Sequence, residues 1–116
     1  MTATDFAELR RLADAGNQDA ANRLAILAAE RGDVGELKHL IDADNDEAAH
    51  QLAVLAGERA DTELLTYLID AGNEEAADLL AVLSADKGDI STLSRLADEG
   101  NQTAERLLAK IISALG

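Results

Sequence analysis

Residues 33–60 read DVGELKHLIDADNDEAAHQLAVLAGERA, and residues 61–88 read DTELLTYLIDAGNEEAADLLAVLSADKG. The two stretches are equally long and match at many positions, which indicates an internal repeat. The pattern extends in both directions, so the repeat units are 5–32, 33–60, 61–88 and 89–116. Eight repeat positions, counted from the leading Asp, are identical in all four units: Asp at 1, Leu at 5 and 8, Asp at 10, Asn at 13, Ala at 16, Leu at 20 and Ala at 21. A period of this length is typical of solenoid proteins.

Each repeat unit predicts two helices. The leading Asp is expected to cap the first helix, and in the first two units Glu8 and Glu36 would complete a capping box with it. Apolar side chains recur at repeat positions 2, 5, 8 and 9, which is helical spacing. A glycine, replaced by Asp44 in the second unit, then ends the first helix. The Asn at position 13 would cap the second helix, and the expected helix lengths are about 11 and about 14 residues. The capping residues are Asp5, Asp33, Asp61 and Asp89 for the first helices, and Asn17, Asn45, Asn73 and Asn101 for the second.

The links between the predicted helices are only one or two residues long, so neighbouring helices should be antiparallel. One helical hairpin cannot bury its apolar face alone, whereas stacked hairpins can. The sequence therefore predicts an all-α fold, an α-solenoid of four antiparallel helical hairpins with eight helices and a right-handed superhelix. We expect residues 1–116 to form a single repeat domain.

Composition narrows the class of protein. Hydrophobic residues make up 47% of the chain, which is too high for a disordered tail. The chain has no cysteine, which excludes disulfides and zinc sites of the cysteine type. A net charge of −13 disfavours nucleic acid and anionic membrane surfaces as partners. No apolar run approaches the ~20 residues that span a bilayer, so we expect a soluble, cytoplasmic protein.

The stretch from residue 12 to residue 33 carries a family resemblance. It contains Leu-Ala-Asp-Ala-Gly-Asn, then Ala-Ala, then Leu-Ala-x-Leu, then Arg-Gly-Asp. This pattern resembles the short 28-residue helical repeats of many actinobacterial proteins, which are grouped loosely with tetratricopeptide-like solenoids. The resemblance implies a helical-hairpin superhelix with a protein-interaction role, and it brings no catalytic residues. The tetratricopeptide unit itself is longer, with 34 residues and a Trp, Tyr and Pro signature that these repeats lack.

The predicted function is therefore a protein- or peptide-binding repeat module, a scaffold or adaptor without catalytic activity. No nucleophile, phosphate-loop or metal motif occurs, so neither an enzyme nor a cofactor is expected. The alternative is a structural helical-repeat scaffold without a ligand. The even tiling of the repeats is also typical of a designed or consensus-derived protein.

A candidate binding strip lies at repeat position 7. On a helical wheel this position points away from the apolar face of the first helix. Arg and Tyr are frequent at binding hot spots, so an acidic or carboxylate-ended peptide is the implied ligand. The alternative is an ordinary solvated face. The strip consists of Arg11, His39, Tyr67 and Arg95, with Arg10 and Lys38 beside it at position 6.

Acidic residues suggest further sites. The Asp at repeat position 10 is expected to bond turn backbone N–H groups or a basic residue of the next unit, rather than a metal. Residues 42–46 superficially match the start of a calcium loop, but Ala48 and Ala53 stand where that loop needs Gly and Glu. Residues 33–60 carry seven acidic side chains against two basic ones, and residues 61–88 carry seven against one. This excess is either a solvated face or a docking surface for a basic partner. The position-10 residues are Asp14, Asp42, Asp70 and Asp98.

The last repeat differs from the others on its second helix. Repeat position 22 holds Ile26, Val54 and Val82 but then Lys110, which favours cover of this position by the next hairpin over an exposed apolar ladder. Glu105 replaces an Ala, so the last unit looks partly converted into a cap. The same helix is apolar at Ile111, Ile112 and Leu115, which predicts weak self-association; the protein is expected to be a monomer or a weak homodimer through this end.

Overall fold

The computed structural model of the chain describes residues 3–115. Over that range it contains eight helices and no strand. The all-α prediction is confirmed for these residues. The helices are α1 (Ala3–Asp14), α2 (Gln18–Arg31), α3 (Val34–Asp42), α4 (Asp46–Arg59), α5 (Thr62–Asp70), α6 (Glu74–Lys87), α7 (Ile90–Asp98) and α8 (Gln102–Leu115).

The predicted Asn caps form. Asn17 accepts a hydrogen bond from the backbone N–H of Ala20 at 3.0 Å, which satisfies one of the amide groups left unpaired at the start of α2. The bond recurs at the other three repeats with N–H to Oδ1 distances of 2.8 Å at Asn45, 2.7 Å at Asn73 and 2.8 Å at Asn101. The long helices therefore begin where the sequence predicts.

The amide group of the capping Asn also links neighbouring repeats. Asn45 donates its Nδ2 hydrogen to Oδ1 of Asn22 at 3.0 Å, and Asn101 donates to Oδ1 of Asp78 at 2.9 Å. Each partner lies 23 residues earlier, at repeat position 18 of the preceding unit. An Asp could also cap the helix but has no donor for the second bond, whereas the Asn amide has its acceptor and its donor on separate atoms. This double use accounts for the Asn at position 13 in the second and fourth repeats.

The Asp caps form in three repeats. Asp33, Asp61 and Asp89 each accept from the backbone N–H three residues later, at 3.1, 3.1 and 3.0 Å. The prediction was wrong for Asp5, because α1 already begins at Ala3 and Asp5 lies inside it. The short helices α3, α5 and α7 have nine residues rather than about eleven, because a tight turn follows each of them.

Left-handed backbone marks the hairpin turns. Gly16, Gly72 and Gly100 have φ between 91° and 98°, and glycine adopts this region without strain. In the second repeat Asp44 takes the equivalent place with φ 64°, as its alignment with these glycines predicts. Ala60 ends α4 with φ 52°, where the first and third repeats have a glycine.

Residues 1–55 form one compact unit, in which α1 contacts α2 and α2 contacts α3. Its core is made of leucines and alanines. The invariant Leu24 and Leu37 are fully buried, and Ala25 and Ala28 beside them allow close approach of the helices.

Residues 56–116 form the second compact unit, and the division falls inside α4. Here α6 contacts α5, α7 and α8, and α7 contacts α8. Leu65, Leu68 and Leu93 are fully buried, as are Ala76 and Ala104 at repeat position 16. The apolar positions that are identical in all repeats are therefore mainly core positions. The expectation that residues 1–116 form a single domain stays a prediction. None of the helices in the described part of the chain is long and apolar enough to cross a bilayer.

Candidate functional site

The two position-7 residues of the first compact unit are exposed. Arg11 is held by Glu8 of the same helix, with Nε 3.2 Å from Oε2 and a second contact from Nη2 to Oε1. The hydrogen bond from Arg11 lowers the pKa of the Glu8 carboxyl, and the same bond raises the pKa of Arg11. His39 lines a groove of about 210 Å³ together with Ala13 and Leu40. A ligand at this end of the strip would therefore meet an exposed His39 and an Arg11 whose positive charge is already paired with Glu8.

Arg10 is engaged in the structure of this unit. Its Nη2 contacts Oε2 of Glu36, whose side chain is only 9% exposed, and its Nη1 lies 3.9 Å from Oδ1 of Asp14. The predicted capping box at Glu36 was wrong, because its carboxylate turns to Arg10 while the N–H of Asp33 bonds the carbonyl of Ala28. Arg10 thus ties α1 to α3 and is less accessible to a ligand than its sequence position predicts.

The remaining strip residues differ in exposure. Lys38 and Tyr67 are half-buried, whereas Arg95 is exposed. Arg95 and Tyr67 both lie in the second compact unit, but the groove that Arg95 lines does not include Tyr67 among its lining residues. Whether the strip binds a ligand therefore stays a prediction.

The groove at Arg95 has a volume of about 270 Å³, and we call it the threonine groove. Leu80 and Leu83 of α6 contribute apolar surface, and Lys87 brings a second positive charge. Its remaining lining includes Thr62, Thr66, Thr92 and Asp89. Sequence reasoning missed Lys87 and the threonines. A comparison of the repeats could have found them, because the first repeat and the start of the second have larger residues where the threonines stand.

Asp89 is the acidic residue of the threonine groove. Its Oδ2 accepts from the hydroxyl of Thr92 at 2.7 Å, and its Oδ1 accepts from the backbone N–H of Thr92 at 3.0 Å. These two bonds lower the pKa of the Asp89 carboxyl, and the nearby charges of Arg95 and Lys87 lower it further. Asp89 is therefore ionised at neutral pH, and the charges in the groove leave one positive charge in excess.

A second groove in residues 56–116 is negatively charged, whereas the threonine groove has a positive charge in excess. It has a volume of about 520 Å³ and an apolar part formed by Ile69 and Leu96. Glu74, Asp78 and Glu99 contribute the negative charge. Asp78 already accepts the hydrogen bond from Asn101, and Glu74 lies in the first turn of α6, where a carboxylate favours the helix dipole. These local roles account for much of the acidity.

The position-10 carboxylates and the calcium-like segment contain no assembled site. Asp14 pairs at 3.9 Å with Arg10 of its own helix, not with a basic residue of the following repeat. Asp44 and Asp46 line an open groove of about 530 Å³ with Gln18, Asn22 and Glu47. Among the described side chains, those of residues 6–115, no three His, Asp or Glu groups converge in a way that could hold a metal ion.

Two apolar surfaces are exposed. At repeat position 22 the side chains of Ile26, Val54 and Val82 are 40%, 37% and 46% exposed, so the expectation that the next hairpin covers them was wrong. On α8, Ile112 is 59% exposed and Leu115 is 82% exposed.

Ile111, the third residue of the predicted self-association site, is half-buried. The equivalents of Ile112 in the earlier repeats, Ala28, Ala56 and Ser84, are all buried. The face of the second helix that is covered in three repeats is therefore open in the fourth.

Comparison with protein families, with curated proteins and with solved structures found no match for this chain.

Proposed function

We propose that this chain is a protein- or peptide-binding repeat module without catalytic activity, an α-solenoid whose four hairpins form a right-handed superhelix. The observation that supports a binding role is the exposure at repeat position 7. Positions 5 and 8 on either side of it are buried, as at Leu37 and Leu40, while His39 between them is accessible. Arg11 and Arg95 are exposed in the same way. Large polar side chains on a rigid helix suit recognition of a ligand.

The charge environment agrees with this proposal. Hydrogen bonds to neighbours within one helix turn are the largest cause of the shifted pKa values of Glu8, Arg11 and Asp89. The expected ligand of the strip is a peptide with acidic side chains or a free carboxylate end.

Peptide display tests this function directly. A random peptide library would be panned against the protein and against a variant with Arg11, His39, Tyr67 and Arg95 all changed to Ala. A matched control carries Arg23→Ala and Arg106→Ala, two exposed arginines outside the strip. We expect enriched peptides to bind the parent and the control but not the strip variant. Equal capture by all three proteins, or no enrichment at all, would reject the strip as the ligand site.

The second candidate is a self-associating scaffold, and the exposed face of α8 favours it. The small residues that fill repeat position 24 elsewhere are replaced here by Ile112, and the basic residues at position 27 by Leu115. Exposed apolar side chains on one face of a helix favour association. The face is formed by Ile111, Ile112 and Leu115, whereas a standard interface has about 20–30 residues on each side, so a weak homodimer is expected.

Light scattering across micromolar to millimolar protein tests this second candidate. We expect the average mass to rise towards that of a dimer, and the double variant Ile112→Asp with Leu115→Asp to stay monomeric. Val82→Asp, a similarly exposed apolar site on α6, is the matched control and should associate like the parent. An average mass that does not change with protein concentration would reject the second candidate, a self-associating scaffold.

A further inference from the structure

The first and second repeats contain side chains that fill the space equivalent to the threonine groove. Phe6 lies under the guanidinium of Arg31, with the ring centroid 4.3 Å from Cζ. Arg10 and Glu36 form the ion pair that ties α1 to α3. These contacts occupy repeat positions 2 and 6 of one unit and position 4 of the next.

At the junction of the third and fourth repeats, the residues equivalent to these three are all threonine. Thr62 replaces Phe6, Thr66 replaces Arg10, and Thr92 replaces Glu36. Loss of a ring, a guanidinium and a carboxylate leaves the open volume of about 270 Å³. The groove therefore results from specific small side chains at one junction and not from the general shape of the repeat.

At the junction of the first two repeats, Arg31 contacts Phe6 and Arg10 pairs with Glu36. The threonines remove the equivalent partners at the junction of the third and fourth repeats. Lys87 stands at the position of Arg31, but Thr62 offers no ring for it. Among residues 3–115, neither Lys87 nor Arg95 has a carboxylate oxygen within 4.0 Å of its charged nitrogens. The nearby Asp89 is held by the backbone and hydroxyl of Thr92.

We propose that the threonine groove binds the C-terminal carboxylate of a peptide. This inference rests on the proposed peptide-binding function and gives that function a site and a ligand chemistry. Arg95 can bind both carboxylate oxygens through its planar guanidinium, and Lys87 supplies a point charge. The hydroxyls of Thr66 and Thr92 already donate, to the carbonyl of Thr62 and to Asp89, so the role of these two residues is to be small.

The size and surface of the groove define the end of the peptide. A volume of about 270 Å³ is at the lower limit of ligand pockets, which run from about 300 to 1,000 Å³, so it suits one terminal residue. Leu80 and Leu83 give an apolar wall, which favours an apolar side chain next to the carboxylate. One excess positive charge matches one carboxylate.

An NMR titration with defined probes tests the proposal. The ¹⁵N-labelled protein would be titrated with acetyl-Gly-Gly-Gly-Leu bearing a free carboxylate, and with its C-terminal amide. A third peptide, acetyl-Gly-Gly-Glu-Gly amide, carries its carboxylate on a side chain. We expect the free-ended peptide to shift the amide signals of Thr92 and Arg95, and the other two peptides to bind at least about fivefold more weakly. Equal binding of the three peptides would overturn the proposal.

Two variants outside the predicted strip separate this site from the strip. Lys87→Gln should weaken binding of the free-ended peptide by about fivefold or more, because a charge-assisted contact is lost. Arg106→Gln, an exposed arginine of α8, is the matched control and should bind like the parent. Unchanged affinity in Lys87→Gln would overturn the proposal.

A double variant would restore the first junction's ion pair. Thr66→Arg with Thr92→Glu keeps the net charge and fills the groove, so binding of the free-ended peptide should be lost while circular dichroism stays unchanged. Peptide display could yield ligands that depend on the strip and that bind the filled variant and Lys87→Gln as tightly as the parent. In that case the proposed peptide-binding function is supported and the threonine-groove proposal is rejected. If display yields none but the tetrapeptide binds as expected, the strip fails and the groove stands.

Discussion

At the scale of single residues, Ala60 is the clearest point of backbone strain. It ends α4 with φ 52°, a region that costs an L-residue with a Cβ atom about 1–2 kcal/mol. Replacement by Gly removes that cost but increases the entropy of the unfolded chain. We expect Ala60→Gly to raise the free energy of unfolding by about 0.5–1 kcal/mol, measured as a higher urea midpoint with unchanged slope.

The control for this prediction is the same substitution at a position with negative φ. Ala43 follows α3 with φ −91°, so Ala43→Gly should lower the free energy of unfolding. If the two variants shifted the urea midpoint in the same direction, backbone strain at Ala60 would not be the cause.

Asp89 and Thr92 predict a measurable pH effect. Loss of the hydroxyl in Thr92→Val should raise the pKa of Asp89, since this hydrogen bond is the largest cause of its lowered pKa. A carboxyl whose folded pKa lies below its unfolded pKa stabilises the fold above the unfolded pKa, and this contribution is lost as pH falls through the folded pKa. The pKa would be measured by NMR of the carboxyl carbon. Thr66→Val, whose hydroxyl donates to a carbonyl, should leave it unchanged.

At the scale of helices, the bond between Asn101 and Asp78 makes a prediction about the junction of α6 and α8. Asn101→Asp keeps the cap on Ala104 but replaces the donor to Asp78 with a second carboxylate. We expect the free energy of unfolding to fall by about 1 kcal/mol, because a hydrogen bond to a charged group is lost at an exposed site.

A reciprocal exchange tests the cause. In the double variant Asn101→Asp with Asp78→Asn, the amide at residue 78 can donate to the carboxylate at residue 101. The double variant should recover most of the loss, and denaturation in urea would measure it as coupling in a double-mutant cycle. Additive effects would show that the two side chains do not interact in solution.

The helices and their caps could be predicted because their causes are local. An Asn cap and an acidic first turn favour a helix start through contacts within one helical turn, as at Asn17 and Asn73. The first cap was wrong because α1 extends beyond Asp5 to Ala3, and nothing in the repeat pattern marks that extra turn. Helices α3, α5 and α7 were predicted too long, because each ends at the Asp of repeat position 10 and the residues after it form the hairpin turn.

The candidate site was less predictable because it depends on side chains that are distant in sequence. Arg10 and Glu36 lie 26 residues apart, so a pattern within one helix could not show that they pair. The helical wheel placed Arg95 correctly on an exposed face, but Lys87 belongs to the preceding helix. The groove is lined by residues of two neighbouring repeats. A pattern at a single repeat position therefore predicts only some of its residues.

At the scale of the whole molecule, net charge governs the response to salt. A charge of −13 on 116 residues causes self-repulsion of the folded chain. Raising NaCl from ~10 mM to ~150 mM shortens the screening length from about 30 Å to about 8 Å. We expect the midpoint of thermal unfolding to rise by about 2–5 °C, measured by circular dichroism.

The same experiment at mildly acidic pH is the control. Lowering the pH towards the sequence pI of about 4.3 reduces the net charge, so salt should raise the unfolding midpoint by less than it does at neutral pH. A midpoint that falls with added salt at neutral pH would show that attractive ion pairs outweigh the repulsion.

The two hydrogen bonds that Asn45 and Asn101 make suggest a compatibility rule for exchange of whole repeats. Duplication or deletion of one 28-residue block preserves the distance of 23 residues between each capping Asn and its partner. This hydrogen bond can form at the junction of two blocks only if the residue at position 18 of the first block is an acceptor, as Asn22 and Asp78 are. Arg106 holds that position in the fourth block and has only donors. Recombinant chains in which the fourth block precedes another block should therefore lose this hydrogen bond, and with it about 1 kcal/mol of stability, relative to orders that keep an acceptor at position 18.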